Sequence, residues 1–495
     1  MRPVPSLLLL VALSIPARAQ CPQVQKIFPA NGDDAFGTAA ALDGDLAVIA
    51  SGDIPFGFPD SSVHLFRYDP GVRLWLEAGE LFPGDGGYSY TYFGSALALA
   101  GDWLFVGHRE HPENDHAGVT WVYRQDAGSG QWLQAQKLTM TDGGRYAEFG
   151  CAAALDGTRA VIGARLRDDP VHGDAAGGAY VYHYDVAAAS WILEATLVDG
   201  FAGEGAGSSV ALSGDAIAVG APGGTHSIQG VVYLYRRAGS SFDLEQRLVP
   251  LDGGGYDQFG TSVAMVGDRL LVGSPYHRIG SSYGAAYLYA YDASAKTWQL
   301  ETKLAASDTT GLFGTSVAMS SEQIVVGAAA TDDTGAAYVF RELAGAWWQD
   351  EKLVAADAKP GDDLGTRVAL GGDRLLATAP GDDNVNGYDA GAGYLFSAAE
   401  LFLSAPERVL AGQPITLATL CGSPGAPVLL AAVGFNGSGV FLPVVIGAFA
   451  ADHTLTVTGL APPDLTGDNV TFQSFKLGLG QGRVVSSAPV LVKFR

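Results

Sequence analysis

Basic residues are scarce in this chain. Its 29 Lys and Arg stand against 52 Asp and Glu, a formal charge of −23. That balance argues against nucleic acid and anionic membranes as partners, and it suits solubility or the binding of cations or basic ligands. Cysteine is rarer still. The three present, Cys21, Cys151 and Cys421, cannot all pair within one chain. After the N-terminus no apolar run is long enough to span a bilayer, so an integral membrane protein is not expected. Catalytic signatures are missing as well. Gly205-Ala206-Gly207-Ser208-Ser209 does not match a G-x-S-x-G elbow, and neither a phosphate loop nor a dinucleotide fingerprint occurs. No cofactor and no metal are expected.

What is abundant is glycine, 67 residues of it, in an ordered repeat. A Phe-Gly pair opens the copies at Phe36-Gly37, Phe93-Gly94, Phe149-Gly150, Phe259-Gly260 and Phe313-Gly314. Weaker forms stand at Ala206-Gly207 and Leu364-Gly365, and the spacing between successive copies runs from 51 to 57 residues. Each opening leads into a strand of period two, a Gly-Asp-type turn, a second strand, a variable loop and a third strand such as Gly284–Tyr289. A fourth, aromatic-led strand follows six of the copies, as at Trp75, Trp132, Trp191, Phe242, Trp298 and Trp348. Most of these end in a basic-Leu pair such as Lys303-Leu304.

The last copy, ending at Tyr394-Leu395-Phe396, has no such follower, whereas Gln23–Ile27 precedes the first Phe-Gly with the right pattern. A ring of four-stranded sheets whose last sheet takes its outer strand from the N-terminus accounts for this permutation and leaves only short sheet edges. Residues 20–398 are therefore expected to form a seven-bladed β-propeller with the aromatic residues packed between sheets.

The pairing of Phe-Gly with later turns such as Gly220-Ala221-Pro222 and Gly273-Ser274-Pro275 resembles the FG-GAP repeat, as in the N-terminal propeller of integrin α subunits and many secreted bacterial proteins. The resemblance implies an all-β propeller and covers about three quarters of the chain. Calcium-binding copies in that family carry a D-x-D-x-D-G-like loop between the first two strands. Here that loop is as short as Ser213-Gly214-Asp215, too poor in oxygen ligands to carry calcium across. The turn before Trp298 also resembles quinoprotein repeats but lacks their Gly-Lys pair.

The two ends differ from the repeat. Residues 1–19 read as a secretory signal peptide, with Arg2, the run Leu7–Leu13 and Ala17-Arg18-Ala19; a lipid anchor on Cys21 is the weaker alternative. The chain is thus expected to be secreted or at the cell surface. Residues 399–495 lose the repeat and read as short strands, a small Ig-like β-sandwich serving as spacer or attachment. A Cys21–Cys421 disulfide would staple the closing sheet, while Cys151 reads as a small buried residue in an inner strand.

Ligand-binding candidates fall in the longer loops. Tyr88, Tyr90 and Tyr92 are spaced for a stacking platform, and equally for packing on a neighbouring sheet. His111 and His116 belong to a polar loop that matches no metal spacing and reads as solvated. Tyr276, His277 and Arg278 would join them across the face. Asp382, Asp383 and Asp389 read as an acidic turn. The expected function is a non-enzymatic binding or adhesion protein whose loop face meets a protein or glycan. The alternatives are a polysaccharide hydrolase or lyase using the central mouth, or a passive cell-surface module. Calcium added to the mature chain is expected to leave its melting temperature unchanged; a calcium-dependent rise would restore a metal site.

Overall fold

In this computed structural model the chain divides into two compact units, with the main break between Leu395 and Phe396. The structure describes residues 23–30, 35–52, 61–85, 92–112, 115–140, 142, 144–223, 229–280, 282–308, 311–329, 334–343, 345–372 and 374–397, and beyond them only the backbone of the strands named below. The signal-peptide reading, Cys21, Cys421, Tyr88 and Tyr90 lie outside the described residues. All described regular structure is β, so no described helix could cross a membrane.

The larger unit is a succession of four-stranded antiparallel sheets. The first comprises Ala40–Asp43, Leu46–Ser51, Ser62–Asp69 and Leu74–Leu81. The second comprises Phe93–Ala100, Trp103–His108, Val119–Gln125 and Trp132–Thr139, and the third Phe149–Asp156, Arg159–Ala164, Ala179–Asp185 and Ser190–Leu197. The fourth holds Ser209–Ser213, Ala216–Ala221, Val231–Ala238 and Ser241–Leu248. The fifth (Ser262–Val266, Arg269–Ile279, Ser282–Asp292, Thr297–Leu304) is bridged at Gly284–Phe313 to the sixth (Leu312–Met319, Gln323–Ala329, Ala336–Leu343, Ala346–Leu353). The closing sheet holds Arg367–Gly371, Arg374–Ala379 and Ala392–Ser397, with Gln23–Ile27 paired to Ala392–Ser397 as its outer strand.

The first strand of each sheet lies against the first strand of the next, and Ala40–Asp43 lies against Arg367–Gly371, so the order is cyclic. That arrangement is a β-propeller. Glycines in the hairpin turns, such as Gly44 and Gly267, sit first in two-residue turns with φ near +55° (54° and 57°), where the turn twist matches the strand twist.

The contact between sheets is backbone on backbone. Gly107, Gly163, Gly220, Gly273 and Gly327 on second strands face the carbonyl oxygens of Gly150, Gly207, Gly260, Gly314 and Gly365, at or just before the start of the next first strands. A Cβ at any of the five would lie under 3.0 Å from that oxygen. The Phe-Gly glycines also have positive φ, 92° at Gly260, which a side chain resists. Each carbonyl then receives a donor from the preceding sheet. Ser95 donates to Gly150, Ser209 to Gly260, Ser262 to Gly314 and Ser316 to Gly365, at 2.7–2.9 Å. Thr378 donates to Gly37 at 2.7 Å across the closure. Cys151 takes the same place with Sγ 3.3 Å from the Gly207 carbonyl. It is half-buried rather than a plain buried hydrophobe, and burial pushes its thiol up to about 11.

Outer strands are tied the same way. Gln25 donates Nε2 to the Trp75 carbonyl (2.9 Å) and accepts the Trp75 N–H (2.7 Å). Gln136 does this to Trp191, and Gln246 to Trp298. Trp298 and Trp191 are 3 % exposed, as expected for residues packed between sheets. The equivalent residue in the sixth sheet is Trp347, half-buried. Trp348, which the sequence pattern placed in that slot, points outward at 62 % exposure. The error is one residue, and period two converts it into the opposite face.

The C-terminal unit has two sheets. One holds Phe402–Ser404, Pro414–Leu420 and Leu455–Leu460; the other holds Arg408–Val409, Val490–Phe494, Asn469–Leu477, Pro427–Phe435 and Ser438–Ala448, with Val484–Ser486 at its side. The strand Ser438–Ala448 runs through Pro443. Pro443 lies at a register shift there, where a missing N–H is tolerated.

Replacing Gly273 with Ala is expected to lower stability by at least about 1–3 kcal/mol, through a clash that repacking cannot relieve. Trp298→Ala should cost roughly 3–5 kcal/mol. Cys151→Ser should be neutral or stabilising by up to about 1 kcal/mol, because a hydroxyl is the better donor. Urea unfolding of the three variants measures all of this.

Candidate functional site on the loop face

The cyclic order puts the short hairpin turns on one face. The connections between second and third strands, and from each fourth strand to the next sheet, share the other. Every exposed Tyr and Phe among the described residues lies on this second face: Phe82, Tyr146, Phe201, Tyr256, Tyr276, Tyr283 and Tyr388. On the opposite face the exposed large apolar residues are Val72, Val186 and Val266.

Beneath these side chains a polar clamp recurs. A fully buried third-strand Tyr donates its hydroxyl to a carboxylate on the loop that enters its own sheet. Tyr180 donates to Asp142 (2.7 Å), Tyr287 to Asp252 (3.0 Å), Tyr338 to Asp308 (3.0 Å) and Tyr394 to Asp357 (2.9 Å). Lys303 and Lys352, from the basic-Leu pairs of the outer strands, and Lys26, from the matching Lys26-Ile27, hold Asp252, Asp308 and Asp357 at 2.7–2.9 Å. Burial opposes the charge on Asp252, yet hydrogen bonds from Lys303 and Tyr287 outweigh it and hold its carboxyl below the usual range. The clamp fixes the loop bases, and it explains the basic-Leu pairs.

The sequence-derived candidates fall into two groups on sheets that are not neighbours. In the first, Tyr92 is half-buried under the Arg109 guanidinium, 4.1 Å from its ring. His116 stacks on Tyr146 at 5.3 Å. His111 is not solvated; it is 1 % exposed, with Nε2 2.8 Å from Asp85 and its ring edge-on to His108. Burial, reinforced by His111, pushes His108 down to about 3, so it is neutral. The long loop hid this, because nothing local in its sequence shows that Asp85, 26 residues earlier, folds under it.

In the second group the segment from Tyr276 to Tyr283, expected as a loop, is a ribbon. Arg278 pairs with Tyr283 and Ile279 with Ser282, extending the fifth sheet beyond its neighbours. Alternation along Tyr276–Arg278 leaves Tyr276 and Arg278 exposed and His277 buried. Lys303 Nζ lies 2.6 Å from His277 Nε2. An ammonium only donates, so Nε2 accepts and Nδ1 carries the proton, which it donates to Asp257 at 2.6 Å. His277 is therefore buried and anchors the ribbon from below. Asp382 is likewise a buried member of the clamp, 2.7 Å from Lys26.

Two exposed tyrosines carry no signal in the sequence pattern. Tyr146 (φ 57°) and Tyr256 (φ 71°) stand three residues before Phe149-Gly150 and Phe259-Gly260 in left-handed conformation, where Gly203 and Gly361 hold the same place in other copies. A bulky side chain there costs roughly 1–2 kcal/mol of backbone strain, and such outliers gather at ligand-contacting positions.

Four segments of the chain, residues 132–182, 242–289, 298–340 and 347–396, match the family model described as FG-GAP repeat. These four segments are FG-GAP repeats. Each matched segment starts on an outer strand and ends on the third strand of the next sheet, one strand out of step with the sheets. No curated protein matches the chain. Among solved structures, it is similar to a putative 6-phosphogluconolactonase from Bacteroides fragilis (11% identity, TM-score 0.41, covering 65% of this chain and 85% of that one). A putative 6-phosphogluconolactonase from Bacteroides uniformis is similar too (10%, 0.43, 65% and 86%). So is the β-propeller domain of the Trilobed protease from Pyrococcus furiosus (11%, 0.39, 68% and 87%). At these TM-scores the fold rests on the sheet order above.

The buried hydroxyls set an alkaline limit. Burial, then the adjoining carboxylates, raise Tyr180, Tyr233, Tyr287 and Tyr394 above the ordinary value. Their contribution to stability is complete below about pH 10, the unfolded value, and is lost as pH rises further, because only the unfolded chain releases the protons. The urea midpoint should therefore fall steeply above about pH 10. A flat profile to pH 11 would contradict the clamp.

Proposed function

We propose that this chain is an exported, non-enzymatic binding or adhesion protein that presents the loop face of a seven-bladed propeller to a protein or glycan. In this reading residues 1–19 direct export, and residues 399–495 form an Ig-like sandwich that spaces or attaches the propeller. The observation that carries the reading is the segregation to one face of the exposed Tyr and Phe among the described residues. Tyr and Phe lose little conformational entropy when a ligand covers them, and Tyr serves apolar and polar contacts at once. Inner strands made of residues such as Phe149–Asp156 (FGCAAALD) and Ser209–Ser213 (SVALS) offer little acid–base chemistry to the central mouth, which supports binding over catalysis.

The test is an array of glycans and surface proteins probed with the mature chain, followed by variants on each face. A ligand should be found whose affinity falls at least tenfold in Tyr388→Ser or Tyr256→Ser and is unchanged in Val186→Ser. Turnover of a polysaccharide, or a ligand indifferent to the loop-face variants, would contradict the proposal.

A further inference from the structure

The ribbon of the fifth sheet carries a more specific chemistry. Tyr276 and Arg278 lie on its exposed side two residues apart, about 7 Å along a strand. Tyr283 is the direct cross-strand partner of Arg278, so their side chains stand about 5 Å apart on the same side. The result is a guanidinium between two phenol rings, all exposed, with Tyr276 43 % and Tyr283 44 % accessible. Tyr256 stands at the foot of the ribbon, where the Tyr276 N–H reaches the Asp257 carbonyl at 3.3 Å. The ribbon is held from below by the buried Asp257–His277–Lys303 chain, so these side chains are presented on a fixed base.

Arg278, like the exposed Arg73 and Arg145, pairs with no carboxylate among the described residues. Arginine in this acid-rich chain is commonly neutralised at close range: Arg124 by Asp102, Arg159 by Glu194, Arg165 by Glu148, Arg236 by Glu245 and Arg269 by Glu301. Arg278 has only the Gly280 carbonyl on Nε, at 3.3 Å, and no carboxylate among the described residues. Two carboxylates of the loop that enters this sheet are already engaged, Asp257 by His277 and Asp252 by Lys303. A fork of donors is left facing solvent, and it matches a planar carboxylate in two-point fashion. Flanking rings that offer both a face and a hydroxyl suit the CH faces and hydroxyl edges of a sugar.

We propose that the Tyr276–Arg278–Tyr283 side of the ribbon binds an acidic oligosaccharide, with Arg278 pairing a uronate carboxylate and the tyrosines stacking on adjoining rings. This rests on the reading of the loop face as the binding face and names its ligand class. The net charge of −23 does not forbid it. At physiological salt charges are screened beyond about 8 Å, so the local guanidinium outweighs distant carboxylates.

The experiment is titration calorimetry of the mature chain with tetragalacturonate and with the neutral galactotetraose, for wild type, Arg278→Gln, Tyr276→Ala and Tyr283→Ala. These side chains are exposed, so unchanged melting temperatures confirm intact folding. Wild type should prefer the acidic tetramer at least tenfold. Arg278→Gln should erase the preference by weakening the acidic ligand far more than the neutral one, while either Tyr→Ala should weaken both ligands several-fold. Absence of preference, or a preference that survives Arg278→Gln, overturns the proposal. If an array ligand of another class is then lost in Tyr276→Ala, the ribbon binds something else and the loop-face reading stands. If array ligands ignore every loop-face variant, that reading falls as well.

Discussion

Neighbouring sheets in this protein touch through glycine. The second strand of one sheet comes so close to the first strand of the next that no side chain fits between Gly273 and the Gly314 carbonyl, and the same holds at four further junctions. Close approach strips water from a peptide oxygen, and a buried oxygen without a donor is costly. At five junctions the Ser or Cys one or two residues past the Phe-Gly-type pair supplies that donor, and Thr378 does so at the closure. The repeat motif is thus an interface. Its Phe fills the space beside a third-strand aromatic, as Phe259 does edge-on to Tyr287, and its Gly admits the neighbour. The junction between first and second sheets departs from this, with Ala50 facing Gly94.

From that interface follows the division of labour between faces. One side is pinned by two-residue turns that tie to each other, as Gly101 N–H does to Asp43 at 2.9 Å. Nothing long can be displayed there. The other side carries longer connections, and the Tyr–Asp–Lys clamp keeps their bases fixed while their tips vary. Such a scaffold can hold different side chains above each sheet without disturbing the core, which is why aromatic residues collect there. Fold and ligand are independent variables in this design.

Much of this is written in the sequence at short range. Phe-Gly, the Gly-Asp turns and the outer-strand Trp are local patterns, and their permutation shows that Gln23–Ile27 completes the closing sheet, to which it is paired. What stayed hidden depends on residues far apart. Asp252 is 35 residues from Tyr287 and 51 from Lys303, so an acidic loop and a basic-Leu pair look unrelated until the sheet brings them together. His111 and His277 read as polar loop residues because their carboxylate partners lie on other segments. Tyr256 sits inside a glycine-rich turn whose left-handed backbone is invisible without φ. Its alignment with Gly203 and Gly361 is the one clue the repeat offers.

Circular closure is the claim on which the face assignment and the ligand reading stand. Native-state hydrogen exchange on residues 20–495, with and without residues 20–28, tests it most directly. If Gln23–Ile27 completes the ring, its removal should strip protection from Ala392–Ser397 and loosen Ala40–Asp43 across the seam. Unchanged protection in both strands would mean that the ring does not depend on the N-terminal strand, and would contradict closure by that strand.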